Sequence, residues 1–263
     1  MLYPTALHEK RWKKLPMLWA WYNKDIREAT CLHVTCKEEM EHCRKFGYKG
    51  PIAVIPNAVV IPNYLQRSNS KYERKTIGFL GRLDKIKKVE NILYAASLLD
   101  DDFDIEIIGK GDELYEVFIK EEAKRLGLGS RVHFVGFVDG QNKYDHLSKL
   151  WGIFVPSVQE NFGMIVPESL ICGTPVFASL GTPWQELNEC NCGWWRDNSP
   201  ETIAGVIKEL LSKTPEEISV MGENGRRLID EKYEQQKVSQ MMYELYRWVN
   251  DEIEKPSFVH LYL

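Results

Sequence analysis

The chain has 263 residues and carries 34 lysines and arginines against 38 aspartates and glutamates, a formal net charge of −4. That length makes one large or two small domains, and 44% hydrophobic residues is ordinary for a packed core. The charge gives no global attraction for nucleic acid or an anionic membrane, and no apolar run reaches the roughly 18–20 residues of a membrane span.

Met1 leads straight into a mixed polar segment, without the pattern of a signal peptide. Cys31, Cys36, Cys43, Cys172, Cys190 and Cys192 show no paired zinc spacing. They read as reduced structural thiols of a cytoplasmic protein that holds no metal. Residues 5–28 read as a helix with a break at Pro16, in which His8, Lys10, Arg11, Lys13 and Lys14 interleave with Trp12, Trp19, Trp21 and Tyr22. A packed helix with a solvated basic face accounts for this pattern. A weak peripheral contact with a bilayer, at the inner face of the plasma membrane, is the alternative reading.

A strand at 32–35 precedes a helix at 37–46, which Gly47 stops. A second strand at 52–55 closes on Pro56-Asn57, and the polar stretch 63–75 reads as a linker. From Thr76 the pattern becomes regular. Strands are predicted at 76–80, 103–108, 131–135, 152–155 and 175–178, with helices at 88–99, 112–126, 141–150 and 164–172. Strands alternating with helices of this length imply right-handed βαβ units and a parallel, doubly wound α/β sheet. Residues 199–211, 215–231 and 234–253 read as closing helices, and the tail from Lys255 gives no signal. The domains expected are therefore 1–62, a linker 63–75, a main domain 76–235, and a C-terminal helix and tail 236–263.

The stretch QENFGMIVPESLICGTPV at 159–176 organises the rest. A loop at the carboxyl end of a parallel strand, feeding a helix N-terminus, is where anionic ligands settle. Glu160 and Glu168 have seven residues between them. On one continuous helix they would stand about 12 Å apart along the axis, too far for an acid/base pair flanking one glycosidic bond, which needs roughly 5 to 9.5 Å. Pro167 starts the helix late. Glu160 thus belongs to the loop and Glu168 to the early helix, touching different parts of one extended ligand. A solvated acidic loop with an exposed helical glutamate is the bland alternative.

GRLDKIKK at 81–88 lies between a strand and a helix, on the same sheet edge. Arg82 offers a forked pair of donors and Lys87 a point charge, a combination suited to a diphosphate, while Gly81 lets the backbone approach. The competing reading is a surface basic cluster. GKG at 109–111 gains meaning only from lying on that edge. DDFD at 101–104 joins a helix to a strand at the opposite edge and is not read as a metal site. His133 reads as a core or sheet-face residue, and Trp184, Trp194 and Trp195 as buried packing before sugar stacking.

These segments together resemble the group 1, family 4 retaining glycosyltransferases of GT-B fold. They are IPNAV at 55–59, GRLDKIKK, GKG, VHFVGFV at 132–138, the Glu-seven-residues-Glu stretch, and GTPWQEL…CGWW between Gly181 and Trp195. The resemblance runs from about residue 2 to about residue 250. It implies a complete C-terminal Rossmann-like domain and a partial, N-terminally truncated first one, the acceptor side, completed in one reading by another chain. It further implies a nucleotide diphosphate sugar as donor, a saccharide or lipid-linked acceptor, no cofactor, and a role in cell-surface polysaccharide or lipopolysaccharide synthesis. By that resemblance Arg82 and Lys87 neutralise the diphosphate. Asn161, Phe162 and Gly163 present amides to it, with Gly81 and Gly109 beside it. Glu160 holds the donor sugar and supports charge at its anomeric carbon, Glu168 holds the ribose, and the base meets backbone near Phe137 and Val138. Two departures stand out: Ala58 and Lys88 occupy positions where the family carries glycine. A catalytically silent sugar-nucleotide binder or scaffold is the competing function, and a nucleotide-sugar epimerase a third.

Overall fold

A computed structural model describes residues 23–65 and 71–262. The chain divides into two compact units, residues 1–58 with 233–263 and residues 59–232. Of the 5–28 helix, residues 5–22 lie outside the described part, and Asn23–Glu28 is helical (α1).

The larger unit is the doubly wound sheet expected. Its strands are β3 (Thr76–Leu80), β4 (Asp104–Ile108), β5 (Val132–Gly136), β6 (Gly152–Val155), β7 (Val176–Ser179) and β8 (Gly193–Arg196). All pair in parallel, in the order β5-β4-β3-β6-β7-β8. The first three strands run outward one way and the next three the other, so the order reverses between β3 and β6. In an open α/β sheet that crevice is the ligand site. β8 was absent from the sequence reading. Its GWWR run is too short and too aromatic to separate from buried packing.

The helices are α3 (Val89–Ser97), α4 (Glu113–Arg125), α5 (Gly140–Lys149), α6 (Ile165–Ile171), α7 (Glu186–Glu189), α8 (Pro200–Leu211) and α9 (Pro215–Lys232). Caps fix several starts. Asp112 accepts from the Tyr115 amide at 2.9 Å, and Ser199 from the Thr202 amide at 3.3 Å with Pro200 in the first turn. Strand alternation sends Ile77, Phe79, Ile105, Ile107, Phe154 and Phe177 into one core with α3, α4 and α8. The opposite face looks to α5, where Glu106 Oε2 accepts a hydrogen bond from His146 Nδ1 at 2.9 Å. On this face Gly78 lies against Leu150, where an added Cβ would come within 2.5 Å of a methyl.

The smaller unit holds β1 (Leu32–Val34) parallel to β2 (Ile52–Val54), with α2 (Lys37–Lys45) between them and α10 (Gln235–Val249). The tail, silent in the sequence, supplies β9 (Val259–His260), antiparallel to β2. The sheet therefore has three strands among the described residues, and β2 is paired on both sides instead of lying at an edge. Arg44 staples this arrangement, donating to Tyr48 O at 3.0 Å, Gly50 O at 2.6 Å and His260 O at 3.0 Å. Ala58 has no positive φ, so this turn dispenses with the backbone form that the family's glycine permits.

The cysteines are unpaired thiols. Burial pushes Cys172 up to about 12, against the pull of Lys71 and Arg226. Lys71 lies with its ammonium withdrawn from water, donating to Thr174 Oγ1 at 2.7 Å, Ser148 O at 3.0 Å and Gly173 O at 3.2 Å. Arg226 joins it at the C-terminus of α6, donating to Cys172 O at 3.1 Å. Burial lowers the Lys71 pKa from 10.5 to about 7. Between those values the unfolded chain holds a proton that the folded chain lacks, so folding stability rises with pH through that window. The stability difference between wild type and Lys71→Met should climb from pH 7 to 8.5, by no more than about 1.4 kcal/mol per pH unit. Urea unfolding at several pH values measures it, and a flat difference would contradict the burial of this charge.

Candidate functional site

Two loops leave the sheet at the β3/β6 crevice, and a backbone bond joins them. Val158 N–H donates to Ile86 O at 2.8 Å. Across this join, Lys87 Nζ donates to Glu160 Oε1 in a close ion pair, both side chains mostly enclosed at 21% and 14% exposure. Ser157 Oγ donates to the same oxygen at 2.8 Å, and Glu160 N–H to Gly181 O at 2.8 Å. Glu160 is thus held at both its main chain and its side chain.

Arg82 lies on the same edge, after β3, and is 70% exposed with Asp84 as its 3.4 Å partner. Asp84 also accepts from the Ile86 amide at 3.2 Å, which starts the 3₁₀ turn Lys85–Lys87. Lys88 follows in the left-handed region, at φ 52°, so the conformation suited to glycine is kept by a lysine at a cost of about 1 kcal/mol. Its ammonium turns to Glu90 at 3.5 Å, away from the Lys87–Glu160 pair. Beneath, Tyr115 OH donates to the buried Glu90 and accepts from Val89 N–H at 3.0 Å. This network fixes which lysine faces the crevice. It is Lys87.

The GKG segment packs directly on GRL. Leu83 N–H donates to Lys110 O at 3.1 Å, and Asp112 N–H to Leu83 O at 2.9 Å. A Cβ on Gly109 would stand 1.9 Å from Gly81 O, and one on Gly111 2.0 Å from Leu83 O. The close approach is made at these two glycines. At Gly81 an added Cβ would meet only the Phe79 ring, at 3.3 Å.

Glu168 sits in the first turn of α6 and Glu160 in the loop before it, the division expected from Pro167. Lys143, on α5, donates to Glu168 Oε1 at 2.8 Å, each side chain about one-fifth exposed. Burial works against the Lys143 charge, but the bond and charge of Glu168 outweigh it and raise its pKa. Gly163 has φ 76°, bending the chain into α6. Asn161 is exposed, whereas Phe162 is buried against Trp184, ring centres 5.1 Å apart. Trp184, wholly buried, donates its indole N–H to Phe162 O. Phe137 is exposed and Val138 half-buried in the loop after β5.

The remaining candidates fall outside this cluster. Asp102 and Asp104 are both paired with Arg74, at 2.5 and 2.9 Å. His133 lies on the edge strand β5, half-exposed and 3.5 Å from Asp104. Trp194 is buried with its N–H on Glu209, and Trp195 donates to Thr182 O at 2.8 Å. Among the described residues no group of three or more His, Cys, Asp or Glu could hold a metal ion, and no helix is long and apolar enough to cross a membrane. Sequence reasoning missed Ser157, Lys143 and the anchoring part of Trp184. Their signal is a contact across 3 to 25 residues, which spacing alone does not reveal.

Residues 60–228 match the family described as glycosyl transferases group 1. The chain belongs to that family. An uncharacterized glycosyltransferase of Methanocaldococcus jannaschii is 28% identical over 156 residues, 57% of this chain and 39% of that protein. A GDP-mannose-dependent alpha-(1-6)-phosphatidylinositol dimannoside mannosyltransferase of Mycobacterium tuberculosis is 28% identical over 137 residues, 51% and 34% of the two chains. Among solved structures, the HepE protein of Anabaena in complex with UDP and glucose superposes with a TM-score of 0.77 at 17% identity, covering 94% of this chain and 69% of that one. The fold class is that of the GT-B glycosyltransferases. This chain spans well under half the length of the two curated relatives.

Trp184→Phe keeps the ring in place but removes the donor to Phe162 O. It should cost about 1–3 kcal/mol, seen in urea unfolding as a lower midpoint at unchanged slope.

Proposed function

We propose that this chain carries the donor site of a retaining, metal-independent family 4 glycosyltransferase, which moves a sugar from a nucleotide diphosphate sugar to a saccharide or lipid-linked acceptor. The observation that carries the reading is the Lys87–Glu160 pair at the point where the strand order reverses. A cation and a carboxylate are pre-positioned there, one for each end of the bond that breaks.

Lys87 and the exposed Arg82 take up the negative charge of the diphosphate as the bond from its oxygen to the anomeric carbon opens. This is electrostatic stabilisation of a leaving group. Glu160, fixed by Ser157 and by the Gly181 carbonyl, accepts from donor-sugar hydroxyls and offsets positive charge growing at the anomeric carbon. The acceptor oxygen forms the new bond on the face the diphosphate leaves, and its proton passes to the departing phosphate oxygen. The turn at Asn161–Gly163 feeds α6 and brings backbone amides toward the phosphates. Glu168 holds the ribose, and the segment at Phe137 and Val138 receives the base. The relative named as a GDP-mannose-dependent phosphatidylinositol dimannoside mannosyltransferase supports a nucleotide-sugar donor and a lipid-linked saccharide as the acceptor class. Cell-surface polysaccharide or lipopolysaccharide assembly is the pathway in which such a reaction belongs.

Purified chain offered UDP- and GDP-sugars should release nucleoside diphosphate and build a glycoside; titration heat without turnover would leave a binding protein. Arg82→Ala should weaken nucleoside diphosphate about tenfold or more and leave nucleoside binding within about twofold. Equal losses for the two ligands in calorimetry would count against a phosphate role. Glu160→Gln should lower kcat by about a hundredfold or more with a small change in nucleotide affinity; unchanged turnover would remove this carboxylate from the site.

A further inference from the structure

The Lys143–Glu168 pair has no part in the reading above beyond the carboxylate. Three observations give the lysine one. Both side chains are about four-fifths enclosed, unlike a solvated surface pair, which is worth little. The ammonium is further held over the Tyr144 ring, 4.8 Å from its centre, and that ring meets Tyr64 edge-on at 6.1 Å. Lys143 also lies in the first turn of α5, directly after the loop of Phe137 and Val138 and directly across from α6. Its place is thus between the segment proposed for the base and the carboxylate proposed for the ribose.

The chemistry of the pair suits a vicinal diol. Each ribose hydroxyl donates one bond and accepts others, so a carboxylate alone, being acceptor-only, satisfies half of it. An ammonium carries three donors, of which Glu168 takes one, and a carboxylate has about four lone-pair sites, of which Lys143 takes one. The pair therefore retains both donors and acceptors at one place. Its sign matters as well. Glu168 shares a sheet edge with a site for a polyanion, and a cation at 2.8 Å offsets the repulsion between that carboxylate and the incoming phosphates.

We propose that Lys143 is a further donor-binding residue, acting with Glu168 as one two-signed clamp on the 2′- and 3′-hydroxyls of the ribose. The inference rests on the proposed donor site, so its test separates the two. Wild type, Lys143→Met, Lys143→Arg and Glu168→Gln are titrated with UDP, GDP, their 2′-deoxy counterparts and inorganic pyrophosphate. Wild type should prefer the ribonucleotide. Lys143→Met should weaken the ribonucleotide about tenfold and bring its preference over the 2′-deoxy form toward one. Pyrophosphate should stay within about twofold, and Lys143→Arg should keep most of the preference. A full ribose preference in Lys143→Met, with Glu168→Gln having lost it, would reject the lysine's part and leave the donor reading intact. Equal weakening of ribonucleotide and pyrophosphate by Lys143→Met would make the lysine merely structural and also overturn the proposal. Wild type that binds neither nucleotide sinks the donor reading itself, and the clamp with it.

Discussion

The site depends on one electrostatic contact, the bond from Lys87 to Glu160 across the β3/β6 crevice. The two residues come from loops on strands that diverge in sequence order, and nothing local in either loop would set their separation. Because both are largely withdrawn from water, each is the other's main compensation. Removing one leaves a partly buried charge uncompensated, which is costlier than the pair itself is worth. The surrounding structure serves this contact. Tyr115 and Glu90 fix the lysine's turn from below, while Ser157, Gly181 and Trp184 fix the glutamate's loop from the side.

Much of the fold was legible because its signals are periodic and local. The β3-to-β7 alternation and the glycine stop at Gly47 each lie within a few residues of what they determine. What escaped was short or non-local. β9 is two residues long and exists because β2 offers an edge and Arg44 reaches His260 O. β8 is four residues with two tryptophans, a composition equally at home in a packed turn. At the site, the residue types and their sheet edge could be read from sequence, since both loops follow parallel strands. Which lysine would face Glu160, and that Glu168 would have a cationic partner at all, could not. Those depend on the left-handed turn at Lys88 and on the packing of α5 against α6.

The family match lies within residues 60–228, nearly coincident with the larger unit at 59–232. The assignment thus rests on one self-contained sheet and the loops at its carboxyl edge. That edge holds every residue proposed to touch the donor. The smaller unit has its own hydrophobic clusters, with Ala53, Ile55, Val238, Leu245 and Val259 in one and Val34, Cys43, Tyr48 and Ile52 in another. The last of these clusters closes around β1, β2 and α2, so residues 32–54 have a packed core of their own.

Gly109 and Gly111 set a limit on how this protein can diverge. At either position the first carbon of any side chain would run into a main-chain carbonyl of the neighbouring loop, which has no rotamer by which to yield. Gly127, Gly129 and Gly136 have open space around the same point. Gly129, with no left-handed backbone to protect, is free to vary over generations, while the GKG pair is frozen by geometry. Those two positions would therefore stay constant in a lineage that had lost every catalytic group but still folded.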